Sequence, residues 1–176
     1  AIDITTTELA LAVRDDEGEE GFERLEMGGQ KQWRDNPAYP GFDLAVLPGM
    51  IGELVQKLAA QGWEFGRDPQ SPGYVSVACR QHDQVILDKH DQPLTPAITW
   101  QCNAATAEVE QLRAAGVEAS VGPLAPRFVL PKLKHVLTVD ESLRSKIGRV
   151  LLTGDWVAYA LTGQARLAKS DALSNG

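Results

Sequence analysis

The alternation of apolar and polar positions predicts strands near the start of the chain, one long amphipathic helix, and a mixed second half. Ala1-Ile2-Asp3-Ile4 sets apolar residues around a single acid, the period of a short strand, and Thr5-Thr6-Thr7 places hydroxyls at its exit. Leu9-Ala10-Leu11-Ala12-Val13 is apolar enough to return beside it, so a hairpin is expected. Asp15 to Gly21 is an acidic run with glycines and reads as a solvated turn. Phe22 to Met27 alternates weakly and predicts a third strand. Gly28 to Phe42, rich in Gly, Pro, Asn and Gln around Trp33, Tyr39 and Phe42, predicts a long loop. Its aromatics either pin the loop to the body or stack on a ligand.

Leu44 to Ala60 carries Leu47, Met50, Ile51, Leu54, Val55 and Leu58 at spacings of three and four with Gly62 beyond, the pattern of a helix covering one face of a sheet. Tyr74 to Cys79 alternates poorly and reads as a strand buried on both faces. Val85 to Asp88 predicts a second strand and Lys89 to Pro93 the turn after it, giving a hairpin over 74–88. Arg80-Gln81-His82-Asp83 lies between the two strands. That quartet is either a solvated corner or, since open α/β sheets bind ligands beyond their strand ends, a ligand-facing one. Helices are predicted over Ala104–Ala115, from Pro126 through Val136, and over Gly154–Gly163, the last preceded by a strand at Arg149–Leu152.

At 176 residues the chain can bury a substantial core. Its net charge of -7 opposes nucleic acid and anionic membrane as partners, because both need a basic patch. No apolar run is long enough to span a bilayer, and no signal-peptide pattern is visible, although the chain starts at Ala1 without Met. Cys79 and Cys102 are too few for a disulfide framework or a zinc site, which favours a reducing cytoplasm.

The motifs sharpen this picture. Gln81-His82, then Leu87-Asp88, then Gln92-Pro93-Leu94-Thr95-Pro96-Ala97-Ile98-Thr99-Trp100 resembles the N-terminal domain of the FGGY carbohydrate kinases, in particular the xylulokinase-like branch. The first strand is similar to that family's phosphate hairpin, with Asp3, Thr6 and Thr7 matching. Pro126 to His135 resembles a P-x-F-x-x-P-K-L-x-W segment in which Pro131 and Lys132 match and His135 replaces the aromatic. Asp155, Leu161, Thr162 and Gly163 match a later segment, and Ser170-Asp171-Ala172 the S-D-A of a T-D-x-S-D-A-S motif. Departures stand at Thr5 for a Gly, Ala10 for a cation, Ala168 for an Asp, and Gln101-Cys102-Asn103-Ala104 for N-D-x-R.

The resemblance implies an α/β fold of the actin-like (ribonuclease H-like) ATPase kind, a mixed sheet with flanking helices; an unrelated three-layer α/β domain is the alternative. It implies that residues 1–176 are an incomplete N-terminal domain, with the second domain and the catalytic base lying further along a longer protein. The implied activity is transfer of the ATP γ-phosphate to a sugar hydroxyl, the acceptor being a ketose such as xylulose, with ATP and Mg²⁺ as cofactors. Asp3 would sit at the metal, Thr6 and Thr7 at the phosphate, and Gln81, His82 and Trp100 at the sugar, none of them as the base. A small-molecule sugar is the expected partner, in the cytoplasm, with a homodimer left open. Two other readings stand beside this: a pseudokinase that binds sugar or a partner, as a sugar-binding or regulatory protein, without phosphotransfer, and another actin-like ATPase. His82 has its own structural alternative, a histidine that fixes the turn before Val85.

Overall fold

A computed structural model of the chain describes residues 1–65, 73–167, 169–173 and 175. In chain order its strands are β1 (Ile2–Ile4), β2 (Glu8–Arg14), β3 (Glu20–Glu26), β4 (Gly41–Phe42), β5 (Val77–Cys79), β6 (Gln84–Asp88), β7 (Ala97–Ile98) and β8 (Ile147–Leu152). The helices are α1 (Val46–Ala60), α2 (Thr106–Ala114), α3 (Glu118–Val121), α4 (Val129–Val139), α5 (Thr153–Thr162) and α6 (Lys169–Leu173). They fall into two compact units, residues 1–29 with 45–80 and residues 30–44 with 81–176.

The first unit is built on a four-stranded sheet in the order β3-β2-β1-β5. β1 and β2 form the expected hairpin, Ile2 facing Leu11 and Ile4 facing Leu9, so one face collects buried Ile2, Ile4, Leu9 and Leu11 while Asp3 points outward. β3 continues the antiparallel order, and Phe22, on its outer face, stays 59% exposed. α1 packs against β2 and β3 through Leu47, Leu54 and Leu58. Pro48 in its first turn needs no donor there. β5 then pairs parallel with β1, and such a pairing needs a crossover, which α1 supplies.

This corrects two expectations. The strand drawn over Tyr74–Cys79 contains only Val77–Cys79, at the sheet edge, with Tyr74 94% and Val75 65% exposed. It is not buried on both faces. Nor is there a hairpin over 74–88, because β5 and β6 belong to different sheets.

The second unit has an antiparallel sheet in the order β4-β7-β6-β8. Its inner strand β6 is buried from Gln84 to Leu87, Val85, Ile86 and Leu87 having no exposure, which explains its unbroken apolar run. The turn after it is closed by Asp88, whose Oδ1 accepts from the amides of His90 at 2.7 Å and Gln92 at 2.9 Å. Those amide donors hold the Asp88 carboxyl below its ordinary range. Gly41 is required in β4, since a Cβ there would run into the Ala97 carbonyl. α2 packs on α4, and α5 follows β8 and ends at Gly163 in the left-handed conformation, φ 70°. α3 and α6 have no counterpart in the sequence reading. The core joins Trp33, Tyr39, Ile86, Ile98, Cys102, Val136 and Leu143. Among the described residues no helix is long and apolar enough to cross a membrane.

Candidate functional site

Asp3, Thr6 and Thr7 meet at the first hairpin. Asp3 is exposed in β1, opposite Ala10, so a methyl group stands where a cation would neighbour the acid. Thr5 and Glu8 close the turn: the Thr5 amide donates to the Glu8 carbonyl at 2.9 Å, and Thr5 Oγ1 accepts from the amide of Glu8 at 3.0 Å and, more weakly, from that of Thr7 at 3.4 Å. Thr5 is absent from the residues with positive φ, so its backbone is unstrained where a glycine was expected. What the substitution changes is the hydroxyl, which takes up the turn's own amides.

The donor set suits Mg²⁺ arriving with a nucleotide. That ion keeps several waters and is held by one or two carboxylates together with phosphate oxygens, which a lone exposed Asp3 and the Thr6 and Thr7 side chains can accommodate. A resident ion is a different matter. Among the described residues no group of three or more His, Cys, Asp or Glu is placed to hold one.

The second cluster is the corner between β5 and β6. His82 has φ 69°, a left-handed conformation that costs a side chain energy and persists only when neighbours hold it. Three do. Its carbonyl accepts from the Lys132 ammonium, its ring lies 4.6 Å from the Phe128 ring, and its Nδ1 is 2.9 Å from Asn175 Oδ1. Burial lowers the His82 pKa, the Asn175 bond opposes that, and the Arg127 and Lys132 cations lower it further, so the imidazole is neutral at pH 7.

Lys132 organises the corner. It is 1% exposed, and besides His82 its ammonium donates to the carbonyls of Ile98 at 3.1 Å and Thr99 at 3.3 Å, which uses all three donors. Burial pulls its pKa down to about 8, against the opposing effect of Asp83 and Cys102. Asp83, without exposure, accepts the Trp100 amide at 2.8 Å. The His82 turn and the Thr99-Trp100 segment are therefore stapled by one buried ammonium and one buried carboxylate, leaving Gln81 exposed and Trp100 41% exposed. Lys132 and Asn175 escaped the sequence reading as site residues; only the motif match had marked Lys132.

The aromatics of the long loop take the structural role. Trp33 is 7% exposed, its ring 5.1 Å from Tyr39. The Tyr39 hydroxyl lies 3.1 Å from His135 Nε2, and His135 Nδ1 lies 3.0 Å from a carboxylate oxygen of buried Glu108. His135 thus pins the loop. Ala168, one of the motif departures, lies outside the described residues.

The model of the FGGY family of carbohydrate kinases, N-terminal domain, matches residues 1–174. A xylulose kinase of Klebsiella pneumoniae is 30% identical over 101 residues, 56% of this chain and 21% of that protein. One from Staphylococcus xylosus is 26% identical over 103 residues, again 56% of this chain and 21% of its own length. The crystal structure of the xylulose kinase from Rhodospirillum rubrum superposes with a TM-score of 0.80 at 19% identity, over 99% of this chain and 36% of the other. The chain spans about a fifth of the curated relatives it matches. The structural likeness establishes the fold as that of an actin-like ATPase domain.

Proposed function

Since the chain belongs to the FGGY family of carbohydrate kinases, we propose that it is the incomplete N-terminal domain of a longer kinase and forms the sugar-holding part of that enzyme. The acceptor we assign is a ketose such as xylulose, the donor ATP with Mg²⁺, and the setting the cytoplasm. The observation that carries this reading is the His82 corner: a left-handed residue held at its carbonyl by a buried ammonium and at its ring by Asn175 and Phe128. Backbone strain maintained by so many neighbours is typical of binding sites.

When bound, Mg²⁺-ATP supplies the phosphoryl group, and catalysis in such reactions rests on positioning and charge stabilisation. Asp3 is the metal-facing carboxylate in this proposal, and the Thr6 and Thr7 hydroxyls are donors to phosphate. Gln81 and His82 hydrogen-bond sugar hydroxyls while the exposed edge of Trp100 covers an apolar sugar face. The carboxylate that takes the hydroxyl proton lies outside this chain.

One observation favours a second reading, a sugar-binding protein without phosphotransfer: the Thr5 hydroxyl engages the amides that a phosphate would use. A coupled assay with D-xylulose and Mg²⁺-ATP separates the two. The kinase reading expects turnover by the full-length protein and none by the 176-residue chain alone. Sugar binding with no turnover by the full-length protein is the outcome of the second reading.

A further inference from the structure

Both ends of the Asn175 side chain are committed, and this determines which nitrogen of His82 carries the proton. Asn175 Nδ2 donates to the Asp171 carbonyl at 2.7 Å, a place an amide oxygen could not occupy, so the atom 2.9 Å from His82 Nδ1 is Oδ1. An amide oxygen only accepts. Nδ1 therefore bears the ring proton, and Nε2 of the neutral ring carries a lone pair.

Asn175 cannot readily turn away. It is 5% exposed, its carbonyl accepts from the Leu130 amide at 3.1 Å, and its own amide donates to the Ala172 carbonyl at 3.3 Å. Phe128 fixes the plane of the imidazole and Lys132 its backbone, so every freedom of the ring is constrained. Nε2 has no partner among the described residues.

We propose that Asn175 is a positioning residue that holds His82 as the Nδ1–H tautomer, so that Nε2 accepts a hydrogen bond from a ligand hydroxyl. This rests on reading His82 as the sugar corner, and it specifies the ligand group: a neutral hydroxyl that donates, in a sugar or polyol, rather than a carboxylate or phosphate oxygen. An oxyanion would meet the Nε2 lone pair with its own. A buried histidine that served only the turn would need the bond to Asn175 but no particular acceptor on the other side.

Long-range proton–nitrogen correlation of the labelled protein at pH 7.5 reads the tautomer without any ligand, the His82 signals being assigned by their loss in His82→Gln. The wild type should show protonated Nδ1 and bare Nε2. Asn175→Leu should shift the ring toward the Nε2–H form and weaken D-xylulose binding by up to about tenfold, one neutral hydrogen bond's worth. Asn175→Asp, nearly the same shape, should keep Nδ1–H and raise the His82 pKa, and at pH above that pKa should restore sugar binding. A protonated Nε2 in the wild type, or a tautomer unmoved by Asn175→Leu, overturns the assignment. Bare Nε2 together with no sugar binding by any variant upholds it and removes the sugar-corner reading instead.

Discussion

The Lys132 ammonium donates to the backbone carbonyl of His82, the residue of that corner whose φ of 69° lies in the left-handed region. A buried cation thus holds a strained turn, and Asp83 supplies its counter-charge. Removing the ammonium takes away the donor to three carbonyls and the cation that offsets the buried Asp83 carboxylate. Lys132→Met should cost about 3–5 kcal/mol in denaturant unfolding, several times the effect of a surface lysine. A loss below about 1 kcal/mol would show that the ammonium does not hold the corner.

The same residue predicts a pH dependence. Burial lowers Lys132 from 10.5 to about 8 in the folded chain, so between those values the unfolded chain binds more protons. Stability therefore rises with pH through that window, by about 3 kcal/mol for a shift of this size. Cys102 acts in the opposite direction, because burial raises its thiol and folding then favours the protonated form. The Lys132 contribution is isolated as the wild-type stability minus that of Lys132→Met, which should grow from pH 8 to pH 10.5. A flat or falling difference contradicts it.

At the first hairpin, Thr5 acts through its hydroxyl rather than its backbone. Thr5→Ser should keep the melting temperature and Thr5→Ala should lose about 1 kcal/mol, the net worth of a hydrogen bond. Equal stability of all three residues would mean the turn does not depend on that hydroxyl.

What could be read from residues alone was local. The β1–β2 hairpin, α1 and the β6 run announce themselves because period and turn residues lie within a few positions of one another. The misreading of Tyr74–Cys79 has the same origin: apolar composition marks a strand but not which sheet it joins, and it was β6 that needed apolar side chains on both faces. Candidate residues Asp3, Thr6 and Thr7 were found as neighbours on one turn, whereas Asn175 reaches His82 across 93 positions. Lys132 looks like a surface lysine on a helix. Only the carbonyls of His82, Ile98 and Thr99, brought together by tertiary packing, give it a buried role.

The sequence allows Trp33 as either a loop pin or a ligand platform, and its burial decides for the pin. Trp33→Ala should cost about 3–5 kcal/mol in unfolding and leave sugar affinity unchanged when measured well below the melting temperature. Intact stability with lost sugar binding is the pattern of a platform and would reverse the assignment.

His82 is the residue proposed to meet the sugar. Isothermal titration of the full-length protein with D-xylulose and, separately, with Mg²⁺-ATP measures this directly when wild type is compared with His82→Asn. Asparagine tolerates the left-handed backbone, so the substitution removes the imidazole with little strain. The predicted result is a sugar dissociation constant raised by a few-fold to about tenfold with ATP binding unchanged. Equal weakening of both ligands, or unchanged sugar affinity, contradicts it.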